Sequence, residues 1–415
     1  GNDAKDVLAG VPSEGMVQFA DTTQGPCRGL IYLPDLDVVY SVHPSSVYKI
    51  SSAGVATSIG AMPGTDDVQL SRNQKSTPQV IIKGTFGTRI IESDVVTTIA
   101  DVDFPGSTVI SADVASDYAI YGESDRTFTL SSINEAKTID PLDFDIFDQK
   151  AGKLIRVQEN NGELIGMCSQ WMEWWRDTGN PDFPFERLAM RSRGLLARNA
   201  VVKSAQTLMF PGDDNNIYRL ANYDPTQIST NEVSRLIESD ASPSTMRALA
   251  YDRQGHQFAC FSGSSWTRCY DAVTQAWHSR ESYHQTTWRA RHSVRAFGKT
   301  LVGDALSGKI FYLDRNTYTE DGGIFIWKVI SPPLHVFPHG AILDAVHFDM
   351  VTGEGTLTGQ GSSPLVMLRV SVDGGNEFGQ YRELSLGTTG NKRVRITARR
   401  LGRFGVKGVI FELSI

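Results

Sequence analysis

The sequence predicts an all-β protein: a β-propeller of about seven four-stranded blades, with six as the alternative, followed by a small C-terminal β domain. Two observations carry this. One phrase, a short strand rich in aromatic and β-branched residues flanked by polar turns, recurs about seven times at intervals of roughly 40 to 50 residues, the period of a propeller blade. The chain also holds 38 glycines among 415 residues, which suits a chain that turns often.

The copies run in order as Val47–Ile50, Arg89–Glu92, Thr127–Leu130, Trp171–Trp175, Ile217–Leu220, Trp266–Tyr270 and Ile310–Leu313. Further strands precede them, such as Cys27–Tyr32 and Val38–Val42 in the first unit, or Leu154–Val157 and Glu163–Cys168 in the fourth. Turn residues separate them, among them Asp35, Gly84, Asn160-Asn161-Gly162, Gly212 to Asn215, Gly255 and Gly298. A repeat of this kind cannot cover its own two faces and needs neighbours on both sides. Gly255–Leu313 shows the pattern most legibly. One segment breaks the β rhythm. Ser229–Glu238 places Val233, Leu236 and Ile237 at helical spacing, and Ser229 with Glu232 has the spacing of a capping box, so a short amphipathic helix is expected across a blade edge.

At Ser331-Pro332-Pro333 the character changes, and the domains are expected at 1–330 (propeller) and 331–415 (a sandwich or platform domain). Strands are expected there at Ile342–Phe348, Leu365–Val372, Tyr381–Leu386, Arg393–Ala398 and Gly408–Leu413.

Charge is uneven along the chain. Residues 1–150 carry 10 Lys and Arg against 21 Asp and Glu, a balance of −11, whereas 151–330 and 331–415 each stand at +2. An acidic first third is a poor surface for non-specific nucleic-acid binding, which depends on neutralising phosphates. It suits a solvated face or a basic partner. The four cysteines, Cys27, Cys168, Cys260 and Cys269, show no CxxC spacing, so reduced thiols are expected rather than zinc ligands or a disulfide scaffold. There is no run of about 18 apolar residues and no signal peptide, so a soluble, non-secretory protein without a membrane span is expected. The sequence starts with Gly1, and a native start upstream is expected.

The sequence offers no catalytic machinery: no G-x-S-x-G, no P-loop and no G-x-G-x-x-G opening a helix. The acidic clusters Asp66-Asp67, Asp101/Asp103, Asp140 to Asp148 and Asp213-Asp214 fall where turns are expected. Ser371-Val-Asp373-Gly-Gly375-Asn-Glu-Phe378 has the Asp-box pattern of sialidase propellers, a turn device in which Asp bonds backbone donors. No metal set forms from the eight histidines, and no cofactor is expected. Two clusters are candidate protein interfaces. Arg280, Trp288, Arg289 and Arg291 lie with His278, His284 and His292 in a basic and aromatic passage able to stack nucleotides or grip an acidic protein. Arg393, Arg395, Arg399, Arg400 and Arg403 form the densest positive run, in which Arg393, Arg395 and Thr397 alternate with Val394, Ile396 and Ala398 and so give one basic strand face.

Several stretches in order resemble the packaged-DNA stabilisation, or tail-hub, proteins of short-tailed bacteriophages. They include Glu173-Trp-Trp-Arg-Asp-Thr-Gly179 with Asp182-Phe-Pro-Phe185 and Arg187, then Arg193-Gly194, Ile228-Ser-Thr230 with Glu232, Gly255-His256, and Trp266 with Tyr270-Asp271, Thr274 and Trp277-His278. Gly303-Asp304, Ser307-Gly-Lys-Ile310, Asp321-Gly322, Asp373-Gly-Gly375 and Leu401-Gly-Arg403 complete the series. The resemblance implies a non-enzymatic virion protein, made in the host cytoplasm. It implies a ring, six-fold in the relatives, attached below the portal and adaptor. That ring would close the DNA exit channel, retain the packaged genome and seat needle, fibre or spike proteins. DNA would then be passing cargo, and an acidic channel lining would let it slide. The rival readings are a propeller carbohydrate-active hydrolase, sialidase- or glycosidase-like, and a monomeric binding module. The hydrolase requires convergent carboxylates or a three-arginine pocket on one face of the ring.

Overall fold

The structure, a computed structural model, describes residues 13–358 and 360–415. Gly15–Gly323 forms one compact unit, and Ile324–Ile415 makes up most of a second.

The first unit is a seven-bladed propeller. Six blades are antiparallel meanders of four strands, blade 1 (29–62), blade 2 (69–97), blade 3 (109–146), blade 4 (154–191), blade 5 (202–227) and blade 6 (247–279), and blade 7 is built on a three-stranded meander (290–314). All seven recurring phrases of the sequence fall in, or lead into, the third strands of their blades, from Ser45–Ile50 to Lys309–Asp314. The middle strands are apolar on both sides because both faces of a blade are covered: Val38–His43 and Val80–Gly84 are buried at every position. Seven apolar clusters fill the seven gaps between blades. Leu33, Tyr40 and Val47 of blade 1 meet Val80 and Ile82 of blade 2, for example, and Phe128 and Leu130 of blade 3 meet Leu164 and Trp175 of blade 4.

Blade 7 supplies only three of its own strands from this part of the chain. Its fourth strand is Gly15–Asp21, which runs antiparallel to Lys309–Asp314 with Gly15 opposite Asp314 and Asp21 opposite Lys309, and the sheet continues beyond it with Thr319–Glu320 in parallel. This strand lies outside the recurring phrases of the sequence. Its Met16 joins the core between blades 6 and 7, and its Ala20 the core that closes the circle between blades 7 and 1, with Val39, Ile50, Leu301 and Ile310.

The helix is Asn231–Glu238, and its cap differs from the expected one. Thr230, not Ser229, is the N-cap, its hydroxyl accepting the Val233 N–H. Ser229 instead accepts the Ile217 N–H, and Glu232 pairs with Arg268 at 3.0 Å. Val233 and Ile237 are buried in the core between blades 5 and 6.

Cys260 and Cys269 also depart from expectation. They sit opposite each other on the hairpin of blade 6, Cα to Cα 3.9 Å, and form a disulfide, while Cys27 and Cys168 are buried free thiols. The two stand nine positions apart, so only the strand register reveals the pair.

In the second unit a four-stranded sheet, ordered Lys328–Ile330, Ile410–Ser414, Leu365–Ser371, Arg382–Ser385, packs on a two-stranded sheet of Ala341–Phe348 and Ile396–Phe404. Leu368, Ala398, Phe404, Val409 and Phe411 form the core between them. The Asp-box turn is built as its residues require. Asp373 accepts the Ser371 hydroxyl at 2.7 Å and the Glu377 N–H at 3.1 Å, and Gly374 and Gly375 take φ of 85° and 93°.

Blade-to-blade spacing leaves no room at several glycines. A Cβ on Gly303 of blade 7 would lie 2.4 Å from the Cys27 sulfur at the entrance to blade 1. Gly303→Ala is expected to lower unfolding stability by about 1–3 kcal/mol, read by urea or thermal unfolding of the full chain. An unchanged midpoint would show that this seam relaxes freely.

Candidate functional site

The first candidate cluster turns inward. Arg280, 5% exposed, stacks 3.6 Å above the ring centroid of Trp288 and donates to the Tyr251 hydroxyl at 2.8 Å. Trp288 is 1% exposed, its indole N–H donating to Glu320 at 3.1 Å. Arg289 grips the fully buried Asp304 through two bonds of 2.9 and 2.7 Å. Arg291 donates to Asp67 at 2.6 Å. These four residues therefore hold blade 7 to its surroundings and do not form an outward interface. At this depth carboxylates and ring faces stand in for the water that the guanidinium groups lose. His278 lies in the same region, driven down to about 4 by burial and by Arg280.

Asp67 and Arg291 belong to a polar network around the propeller axis. The inner strand of each blade has no strand beyond it, so its outward N–H and C=O groups need other partners. Side chains of neighbouring inner strands supply them. Gln69 of blade 2 accepts the Ala112 N–H of blade 3 at 3.3 Å and donates to the Val157 carbonyl of blade 4 at 3.0 Å. Ser111 accepts the Val157 N–H at 3.0 Å, and Asp113 accepts the Glu159 N–H at 2.8 Å and the Gln158 amide at 2.9 Å. Ser293 of blade 7 donates to the Ala250 carbonyl of blade 6 at 2.6 Å. Burial alone would raise the Asp67 carboxyl, but His292, at 2.8 Å, and Arg291 outweigh it and hold it down at about 2.

A cavity of about 150 Å³ remains on the axis, lined by residues of five blades and their approaches, including Leu30, Asp67, Gln69, Arg156, Ala248 and His292. That is room for a few water molecules. Asp67 is its one carboxylate, so no carboxylate pair converges here as sugar hydrolysis by two acids requires. The acidic first third does not line this channel. In the described residues its inner-strand network holds only Asp67 and Asp113. Asp35, Asp37, Asp117 and Asp125 sit at turns, and Asp140, Asp143 and Asp145 on the outermost strand of blade 3, Glu135–Ile146. Asp3 and Asp6 lie outside the described residues. The acidic residues of the first third therefore lie mainly at turns and on outer strands of the propeller and not around its axis.

A second cavity, about 230 Å³, lies at the outer strand of blade 4 against Gln149, Glu173, Arg187 and Met190. Glu173 is 1% exposed, and burial pushes its carboxyl up to about 7 although Arg187 Nε lies 3.1 Å away. Arg187 divides itself among Glu173, Asp148 at 2.7 Å and the ring of Trp175.

The second candidate cluster stays at the surface. Arg393, Arg395, Arg399, Arg400 and Arg403 are all exposed, and among the described residues none has a carboxylate partner. Its strand differs from the expected one. The strand starts at Ile396, so Arg393 precedes it on a turn and Arg395 on the lead-in, while Ile396 and Ala398 point into the core as the alternation implied. The alternation breaks at Arg399-Arg400, where Arg400 takes φ of 54° and the register shifts opposite Leu343 and Ala345. Among the described residues, no helix is long and apolar enough to cross a membrane.

Two measurements check these networks. Arg291→Ala removes one of the cations facing the buried Asp67 carboxylate and is expected to cost about 3 kcal/mol of stability. In the wild type, the contribution of Asp67 is complete above its unfolded value of about 4 and is lost as the pH falls toward 2. That acid loss should be smaller, and end at higher pH, in Arg291→Ala. Glu173 has the opposite sign. Its raised value means that stability is full below the unfolded value of about 4.3 and falls as the pH rises through 7. Glu173→Gln should therefore be more stable than wild type at pH 8 by about 3 kcal/mol, with the two converging near pH 4 to 5. Parallel pH–stability curves would remove this reading of Glu173.

Among curated proteins, none matches the chain. Solved structures similar to it at low identity include PorZ, an essential surface component of the type-IX secretion system of Porphyromonas gingivalis. It is 11% identical with a TM-score of 0.45, over 88% of this chain and 46% of that one. The chain thus spans less than half the length of the PorZ structure. The WD40 β-propeller domain of Doa1 is 11% identical over 73% of this chain and 98% of that one, TM-score 0.47. The computationally designed Ika8 protein is 8% identical over 72% and 99%, TM-score 0.44. Residues 9–318, the span that holds all seven blades, match the family model described as Bacteriophage P22 Gp10, beta-propeller, and the chain belongs to that phage stabilisation family.

Proposed function

We propose that this chain is a non-enzymatic tail-hub subunit. Copies of it assemble into a ring, hexameric as in the relatives its sequence resembles, attached below the portal and adaptor of a short-tailed phage. The ring closes the DNA exit channel after packaging, retains the genome, and seats needle, fibre or spike proteins. The observation that carries this reading is the family match over 9–318.

Three features of the chain support it. The propeller is closed, with every blade covered on both faces, so its stability needs no partner and its periphery is available for assembly. The axial cavity of one propeller, about 150 Å³, has room for a few waters, which favours a passage for DNA between subunits and not through one. The buried charges are answered within the chain, whereas the arginines of the Ile396–Phe404 strand and its approach are exposed and unanswered, which suits contact with an acidic neighbour.

The test is co-sedimentation of the purified full chain with DNA-filled heads carrying the portal and adaptor but lacking the hub. Binding of a fixed ring stoichiometry, together with slower loss of DNA from the heads, is expected. A chain that stays in the supernatant while hydrolysing glycosides would overturn the proposal.

A further inference from the structure

The outermost strand of blade 3, Glu135–Ile146, has no strand on its far side among the described residues. Its second half carries exposed apolar groups: Leu142 is 80% exposed and Phe144 50%. An apolar edge strand left open is a template for pairing with another chain, and soluble proteins ordinarily cover it or blunt it. Here Asp140 and Asp143 flank Leu142. Partial burial and the nearby Asp140 hold Asp143 above the usual carboxylate range, and neither carboxylate has a cation among the described residues. Their neighbours Asp145 and Asp148 are already answered by Arg187, at 3.8 and 2.7 Å. This edge therefore offers apolar side chains together with two uncompensated acids.

The complementary chemistry lies in the second unit. Arg393, Arg395, Arg399, Arg400 and Arg403 are exposed without carboxylate partners, and Ile342, 78% exposed, stands opposite Arg403 across the two-stranded sheet. That sheet has only two strands, so each of them is also an edge.

We infer that the Asp140–Ile146 edge of one copy docks on the Arg393–Arg403 stretch of a second copy of this chain, with Leu142, Phe144 and Ile342 at the centre of the contact. The inference rests on the self-assembly reading above and names its surfaces. The two surfaces differ, so the contact is head to tail: each copy that uses its acidic edge on one neighbour keeps its basic stretch for the other. A contact of this kind propagates and closes into a ring when the rotation per subunit divides the circle. Opposed charge sets the register and speeds encounter, and salt weakens the contact.

Reciprocal charge reversal on the full chain tests this. One variant carries Asp140→Lys with Asp143→Lys, and the other carries Arg395→Glu with Arg403→Glu. All four side chains are exposed or partly exposed, so unchanged circular dichroism and thermal midpoints are expected and serve as the folding control. Assembly is read by light scattering at several protein concentrations, and on portal–adaptor heads. Each variant alone is expected to lose at least about tenfold in apparent association constant. An equimolar mixture is expected to recover assembly, because each reversed surface then meets its opposite on the other variant. If wild type forms rings and both variants do so equally well, this contact is overturned while the ring stands. If the variants form rings but fail to attach to heads, the surfaces serve the adaptor, and the contact is again overturned. If wild type stays monomeric both free and on heads, the self-assembly reading falls and this contact falls with it.

Discussion

The antiparallel pairing of Gly15–Asp21 with Lys309–Asp314 is the constraint on which the propeller depends. A blade is a flat stack of four strands with two apolar faces, and it has no core of its own. Six of the seven inter-blade cores join blades adjacent in sequence. The seventh joins the last blade to the first, and a chain without it would leave both terminal blades with an uncovered face. Ala20 on the closing strand packs with Val39 and Ile50 of blade 1 and with Leu301 and Ile310 of blade 7, so a single strand turns an open array into a circle. The side chain of Thr22 continues the clasp, its hydroxyl donating to the Gly308 carbonyl at 2.9 Å.

Closure sets a second requirement at the axis. Seven inner strands converge there with free backbone edges, and burying those edges unpaired would be costly. Gln69, Ser111, Asp113 and Ser293 answer the backbone of the adjoining inner strands, so the axis is sealed by side-chain-to-backbone bonds instead of a further strand. Arg291, His292 and Asp67 add a charged bond between blade 7 and the chain entering blade 2. The same groups that look, in sequence, like a binding cluster are therefore parts of the ring's internal bracing. A sealed axis also moves any function of passage from the single propeller to an assembly of several, and turns attention to the periphery.

At the periphery, acidic and basic residues occur on different parts of the chain. The outer strand of blade 3 presents Asp140, Leu142, Asp143 and Phe144 to solvent, and the strand around Arg399 to Arg403 presents unpaired guanidiniums. The seven-bladed body holds the blade 3 edge in place without these exposed side chains contributing to its core. Surface charges cost little stability when exposed, so these positions are free to serve contact instead.

The residues alone determined the blade: its third strand is legible because both of its faces are buried, which selects a run of aromatic and β-branched side chains such as Trp174-Trp175 or Ile310-Phe311 between polar turns. They also determined the Asp-box turn, whose Asp373, Gly374 and Gly375 act on immediate neighbours. The helix was legible for the same local reason, though its cap moved by one residue because Ser229 is drawn to the Ile217 N–H of a strand outside the segment. Only the tertiary structure decided the rest. Gly15–Asp21 reads as an ordinary strand until its partner at the far end of the propeller is known. Cys260 and Cys269 meet through strand register, not spacing. Arg280, Arg289 and Arg291 look in sequence like the arginines of 393–403, since a guanidinium is equally polar wherever it stands. What separates them is whether folding brings a buried carboxylate or an aromatic face to meet each one, and that contact is made by residues distant in the chain.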